Sequence, residues 1–219
     1  YSKHRIEELI VKIDKHLDKR ASDAEIMKKL DKTKFKEELL SIAKARRRAK
    51  ESKYKAINAK YFNLEDLQFS TPSDIADYRA KRLKCGVIVD LCSGIGIQSS
   101  AFSKHCKEVY AVEIDKRKVA YSRNNFPSKN IHFIEGDVLS ERIIISMRSE
   151  NPDIIFCDPE RAETENERTL DSIIPNIKKL VEVYSGITPN ICLELPPQIE
   201  LNKLKELGRE FEAEYMSFN

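Results

Sequence analysis

A chain of 219 residues has room for one α/β domain of about 150 residues and a smaller companion, and 41% apolar with 34% charged content marks a globular protein rather than a fibrous one. No run of about 18 uncharged apolar residues is available to span a bilayer, and no basic-then-apolar leader opens the chain; a cytoplasmic protein with no membrane partner is expected. The net charge of +3 hides an imbalance, because residues 1–60 carry 19 basic and 10 acidic side chains (+9) and the remainder 20 and 26 (−6), which predicts a basic N-terminal domain over 1–60 and a second domain over 61–219.

In the first domain Ile6, Leu9, Ile10, Ile13 and Leu17 recur at the spacing of one helix face and predict an amphipathic helix over 4–19. Ser22 and Glu25, three apart ahead of Ile26, Met27 and Leu30, form the capping-box signature of a second helix, and Phe35, Leu39, Leu40 and Ile42 mark a third. A small all-α bundle is expected. The third helix runs into AKARRRAKESKYK, which concentrates positive charge beside Tyr54 and Tyr61. Arg46, Arg47, Arg48, Lys50, Lys53 and Tyr54 are therefore the candidate substrate-binding residues, although a solvated basic face reads the same way.

From residue 61 the pattern changes. Ser70-Thr71-Pro72 offers a cap and a first-turn proline for a helix running to about Lys84. Short apolar runs then alternate with helical segments: VIVDL at 87–91, EVYAVEI at 108–114, IHFIE at 131–135, DIIFC at 153–157 and NICLEL at 190–195. This order predicts a Rossmann-like α/β fold, a parallel or mixed sheet with helices on both faces, in which ligands bind at the carboxyl ends of the strands. Five cysteines without paired spacing and four scattered histidines predict reduced core thiols and no metal site.

The strand ends carry the chemistry. VDLCSGIG places Asp90, Gly94 and Gly96 in a glycine-rich turn that a ligand can approach closely, and Ser99 replaces the third glycine of the dinucleotide fingerprint, which favours a ligand without pyrophosphate. Glu113 follows at the end of the second strand, where a carboxylate accepts from both hydroxyls of a ribose. Asp137, after the third, suits an exocyclic amine such as that of adenine, or else caps the next helix. Cys92, Ile114 and Val138 flank these positions and complete the candidate cofactor set. In IIFCDPER, Asp158-Pro159 stops the fourth strand beside the expected ligand, with Glu160 and Arg161 facing the mouth. A carboxylate there orients an acceptor amine and helps take its proton, so Asp158, Pro159 and Arg161 are the candidate catalytic residues; a strand-ending turn with solvated charges is the plain alternative.

With these residues in hand, the second domain resembles the class I methyltransferases over about residues 68–215: Asp90, Gly94 and Gly96 match their first motif, Glu113 their ribose-binding acid, Asp137 their adenine-side residue and Asp158-Pro159 their fourth motif. The resemblance implies a seven-stranded Rossmann-like sheet, S-adenosyl-L-methionine as cofactor (bound also at Asp158) and methyl transfer by direct displacement. KYFNLEDLQFSTPSDIADYRAKRL followed by VIVDLCSGIG looks like the archaeal and bacterial methyltransferases that carry a THUMP-like domain after the catalytic one. That group has a DPxR fourth motif matching Asp158, Pro159 and Arg161, and a strand like EAEYMSFN. FSTPSDIADYRA and AVEIDKRKVAYSRNN are also similar to trimethylguanosine synthases of RNA caps, which have Pro-Pro-Trp where this chain has Pro159-Glu160-Arg161 and no tryptophan anywhere.

RNA is the expected partner, because the basic domain would neutralise phosphates while Tyr54, Tyr61 and Phe62 stack on bases. The expected reaction is methylation of tRNA or rRNA, at a base nitrogen. Methylation of a protein or small molecule, and an RNA-binding module with a vestigial cofactor site, are the alternatives.

Overall fold

The computed structural model describes residues 2–50, 59–161 and 170–216, with Glu160, Arg161 and Asp171 described by backbone alone. The chain forms two compact units, residues 1–73 and 74–219.

The first unit is helical. Helix α1 (Lys3–Asp18) starts where Ser2 accepts from the Arg5 amide, and α2 (Asp23–Lys29) starts at the Ser22–Glu25 capping box, which closes in both directions. Helix α3 (Lys36–Lys50) packs against both and against α4 (Leu64–Gln68). The expected apolar face is the one buried, with Leu9, Ile10, Ile13, Ile26, Leu40 and Ala43 in the core. Helix α4 was not foreseen; five residues are too few to show a period, and its signal is a second reciprocal cap, between Asn63 and Asp66. Ser70, expected to cap the next helix, instead donates its hydroxyl to the Asp66 carbonyl at the end of α4. Helix α5 (Ser73–Arg82) accordingly starts after Pro72 rather than at it.

The second unit alternates strand and helix: β1 (Val87–Leu91), α6 (Ile97–Phe102), β2 (Glu108–Glu113), α7 (Lys116–Asn125), β3 (Ile131–Glu135), α8 (Glu141–Ser149) and β4 (Ile154–Cys157). A short antiparallel pair follows, β5 (Glu160–Arg161) with β6 (Ile173–Ile174), then α9 (Ile177–Tyr184), β7 (Ile191–Leu193) and α10 (Leu201–Leu204). The main sheet is parallel in the order β3-β2-β1-β4-β7, so its direction of growth reverses between β1 and β4. The period of two assigns the faces. Val89, Leu91, Ile155 and Cys157 join Ile143, Met147, Leu180 and Tyr184 of α8 and α9 in one buried cluster. Phe156 points the other way and meets Phe102 of α6 edge-on at 5.3 Å. Asp90 is the register partner of Phe156, so a carboxylate shares that second face.

Two expectations from resemblance are corrected. Among the described residues the main sheet has five strands rather than seven. Among the described residues, 212–216 pair with no strand; Arg82 of α5 holds Glu212 at 2.6 Å and Glu214 at 3.2 Å, Tyr78 donates to Glu214, and Tyr215 and Met216 stay exposed. Side-chain ion pairs here take the place of a backbone ladder. Among the described residues no helix is long and apolar enough to cross a membrane, and no group of three His, Cys, Asp or Glu is placed to hold a metal.

Candidate active site

Between β1 and α6 the chain turns through three left-handed residues, Cys92 (φ 63°), Gly94 (φ 55°) and Gly96 (φ 86°). Cys92 bears a Cβ and is strained there; Gly96 opens α6 and is crowded, a Cβ on it falling 3.0 Å from Phe133 and 3.1 Å from Ser122. A Cβ on Gly94 would meet nothing within 4 Å, so the backbone there borders open space.

Glu113 lies buried at the end of β2, and its oxygens accept from the Gly94 and Asp115 amides, each at 2.8 Å. Ile114 beside it is 69% exposed, an apolar surface that nothing within the unit covers. Asp90 is 1% exposed; Ser99 donates to its Oδ2, while Oδ1 is buried without a hydrogen-bond partner, as is Ser93 Oγ. Burial pushes the Asp90 carboxyl up to about 7 and Glu113 adds to the push, against Ser99 and Arg79, which favour the charge. Asp137 is exposed, and its Oδ1 accepts from the Leu139 amide at 2.8 Å, a turn ahead of α8, while the N-cap position of that helix is taken by Ser140. Val138 is buried, its carbonyl taking the Tyr184 hydroxyl at 2.7 Å.

Asp158 follows β4, partly buried, with Pro159 buried behind it. The chain then enters β5, with Arg161 in register with Ile173, and the side chains of Glu160 and Arg161, expected to face the mouth, lie outside the described residues. Burial and a hydrogen-bonded neighbour, Glu194, raise the Asp158 carboxyl well above the usual range, and Arg79 opposes them. Sequence reasoning missed Arg79, Gln98 and Glu194. Arg79 of α5 is 4% exposed; it pairs with Glu194 at 2.7 Å, donates to Gln98 at 2.7 Å and lies 5.0 Å above the Phe156 ring. Glu194 follows the last strand at its carboxyl end, and the rule that picked out Asp90, Glu113 and Asp158 would have found it.

In the first unit the basic residues divide. Arg46 binds Glu7 through both terminal nitrogens at 2.9 Å, donates to the Lys60 carbonyl at 2.6 Å and sits 5.6 Å from the Tyr61 ring centre. Arg47 pairs with Asp18 at 2.6 Å. Arg48 and Lys50 are exposed, and Lys53 and Tyr54 lie outside the described residues. Tyr61 and Phe62, expected to stack on bases, are 7% and 1% exposed and belong to the core.

The crystal structure of a candidate methyltransferase from Porphyromonas gingivalis W83 matches over 78% of this chain and 44% of its own, with a TM-score of 0.64 at 17% identity, a likeness of fold. An uncharacterised S-adenosylmethionine-dependent methyltransferase of Mycobacterium tuberculosis is 25% identical over 158 residues, 72% of this chain; the chain spans 42% of that relative's length. Strand order and these likenesses are those of the class I S-adenosylmethionine-dependent methyltransferase fold. Trimethylguanosine synthase of Schizosaccharomyces pombe is 31% identical over 161 residues, 67% of each chain. The family model of RNA cap guanine-N2 methyltransferases matches residues 85–216, and the chain belongs to that family.

The cofactor of the class is S-adenosylmethionine, and the residues fit it. Glu113 has two oxygens for two ribose hydroxyls, Gly94 leaves room at the backbone, and the orphaned Asp90 Oδ1 and Ser93 Oγ are buried polar atoms that call for a ligand's polar groups.

Proposed function

We propose that the whole protein methylates RNA on the exocyclic amine of a base, in tRNA or rRNA, with Asp158 as the residue that engages the acceptor. The observation that carries this is the position of Asp158: the fourth motif ends at the point where the sheet reverses, one strand from Asp90 and two from Glu113. Bound S-adenosylmethionine would supply the electrophilic methyl group. Asp90, Cys92, Gly94, Gly96, Glu113, Ile114, Asp137 and Val138 would hold the cofactor along the ends of β1, β2 and β3. The Asp158 carboxyl would accept from the amine N–H, orient the nitrogen lone pair towards the methyl group and help remove the proton. Pro159 stiffens the turn that carries it, and Arg161, in the same DPxR motif, would meet a substrate phosphate.

The family is named for the cap guanine, and this chain departs from it at the residue that would read a cap. Trimethylguanosine synthases resembled by the sequence stack a tryptophan on the methylated guanine; here Arg161 stands at that place and the chain holds no tryptophan. An uncapped RNA base suits such a site better. RNA as partner is supported by the +9 charge of residues 1–60 and by the exposed Arg48 and Lys50. The likeness to methyltransferases bearing a THUMP-like domain makes that module part of the proposal.

The test is transfer of labelled methyl groups to total RNA, with digestion to identify the nucleoside. Asp158→Ala should keep calorimetric affinity for the cofactor and lower transfer about a hundredfold or more, the scale of a positioned acid–base group. Full activity in that variant removes Asp158 from the chemistry, and label in protein instead of RNA removes the substrate assignment.

A further inference from the structure

Cys157 and Leu193 are register partners on adjacent parallel strands, so the residues after them, Asp158 and Glu194, leave the sheet side by side. The Glu194 amide still donates to the Cys157 carbonyl at 2.9 Å, which fixes the two backbones together. Burial raises the Asp158 carboxyl most, and its neighbour Glu194 adds to the rise by its charge and by hydrogen bonding. Two ionised carboxylates are acceptors only, and side by side they are held together only where one of them keeps a proton. Arg79 reaches Glu194 at 2.7 Å and is held there, with Gln98 taking another of its nitrogens and the Phe156 ring lying under its plane. Among the described residues the charged groups that face Asp158 are Glu194 from the end of β7, Arg79 from α5 and Asp90 from β1. Among the described residues one fixed cation, Arg79, serves these three carboxyl groups, and a retained proton relieves the excess of negative charge.

We propose that Asp158 and Glu194 act as one proton-sharing carboxyl pair, with Glu194, anchored by Arg79, as a positioning residue that aims Asp158 and receives its proton. The proposal deepens the reading of Asp158 given above and rests on it. When the C–N bond forms, the C–S bond breaks and its electron pair stays on sulfur, leaving the acceptor nitrogen with a proton to lose. Asp158 takes that proton at its free oxygen and passes its own to Glu194. The pair goes from one proton to two and returns one to water after product release. Glu194 acts through Asp158 and needs no contact with the substrate.

The experiment begins without cofactor. Carboxyl titration of the full chain by infrared difference spectroscopy, with Asp158→Asn identifying the Asp158 signal, is compared between wild type and Glu194→Gln. Loss of the neighbouring negative charge and release of Arg79 should make Asp158 titrate about one pH unit lower or more. Methyl transfer should then fall tenfold or more in kcat with cofactor affinity unchanged, and Glu194→Asp should restore most of it. Because Glu194→Gln leaves Arg79 buried without its carboxylate, the Arg79→Gln/Glu194→Gln double variant repeats the titration with both charges removed. An Asp158 titration that ignores Glu194 overturns the pair, whatever the activity. Coupled titration in a chain whose Asp158→Ala variant still transfers methyl groups overturns the role of Asp158, and the relay with it.

Discussion

Gly94 and Gly96 stand in one turn, and a methyl group added to each meets opposite surroundings. At Gly96 the left-handed backbone and the contacts to Phe133 and Ser122 act together, so Gly96→Ala should cost about 2–3 kcal/mol of stability and disturb the start of α6. At Gly94 only the backbone term applies, roughly 1 kcal/mol, but the new methyl enters the open space beside the Glu113 carboxylate. Gly94→Ala should remain folded and lose cofactor binding, which calorimetry beside a thermal melt separates; a stable variant with wild-type affinity removes Gly94 from the ligand surface. Asp90 makes a different demand. Its carboxyl is raised in the folded chain to about 7 from an ordinary 3.8. The folded state therefore holds a proton that the unfolded state has released over that interval, and stability falls as pH rises from about 4 to about 7, by about 1.4 kcal/mol for each pH unit of displacement at most. Asp158 is raised as well and adds to the fall in the same direction. Asp90→Asn should flatten part of this slope and be more stable than wild type above pH 7 in denaturant titrations, since an amide accepts from Ser99 without a buried charge. Equal slopes in the two proteins would show that Asp90 stays ionised.

Helix α3 carries Arg46, Arg47 and Arg48 in succession, and a helix directs neighbouring positions about 100° apart, so they cannot share one role. Arg46 faces α1, where Glu7 takes both of its terminal nitrogens, and that contact holds the Glu7 carboxyl below the ordinary range. Arg46→Ala should cost about 1–3 kcal/mol, the scale of a bidentate charge-assisted contact that is partly shielded from water. Arg48→Ala should change stability by less than ~0.5 kcal/mol. Equal melting points for the two would deny Arg46 its structural role. The RRR run is legible as charge, while its division needs the position of α1, which no local pattern states. The same boundary recurs elsewhere. Helix α1, the Ser22–Glu25 box and strands β1 to β4 follow from period and capping, which are local. The acids Asp90, Glu113 and Asp158 were found because strand ends are places in a sequence as well as in a fold. Arg79 and Glu194 meet across 115 positions of chain and had no partner in view. Residues 212–216 resemble a strand of related methyltransferases, yet α5 binds their glutamates, and a resemblance in sequence does not supply a neighbouring strand.

At the scale of the whole molecule, charge and chemistry are separated along the chain: residues 1–60 carry +9 and the remainder −6. A polyanion close to a site lined by Asp90, Glu113, Asp158 and Glu194 is repelled by it, so affinity for RNA has to come from elsewhere in the chain. Ion pairing has already taken Arg46 and Arg47 out of the pool of free cations, which leaves the exposed Arg48 and Lys50 among the described residues of the run. If these two contact phosphates, each releases counterions on binding, and the logarithm of affinity falls with the logarithm of salt by roughly 0.7 per contact for a single strand. The Arg48→Ala/Lys50→Ala variant should therefore bind all RNA sequences more weakly and show a salt slope shallower by about 1.4. Its cofactor affinity should be unchanged, because the residues proposed to hold the cofactor all belong to the second unit. Filter binding across a salt series, beside calorimetry with S-adenosylmethionine, measures both. An unaltered slope would return Arg48 and Lys50 to the role of a solvated basic face and place the phosphate contacts elsewhere in the chain. A slope that flattens along with a loss of cofactor affinity would instead mean that the substitutions disturb the whole fold, and the melting temperature of the variant distinguishes that case.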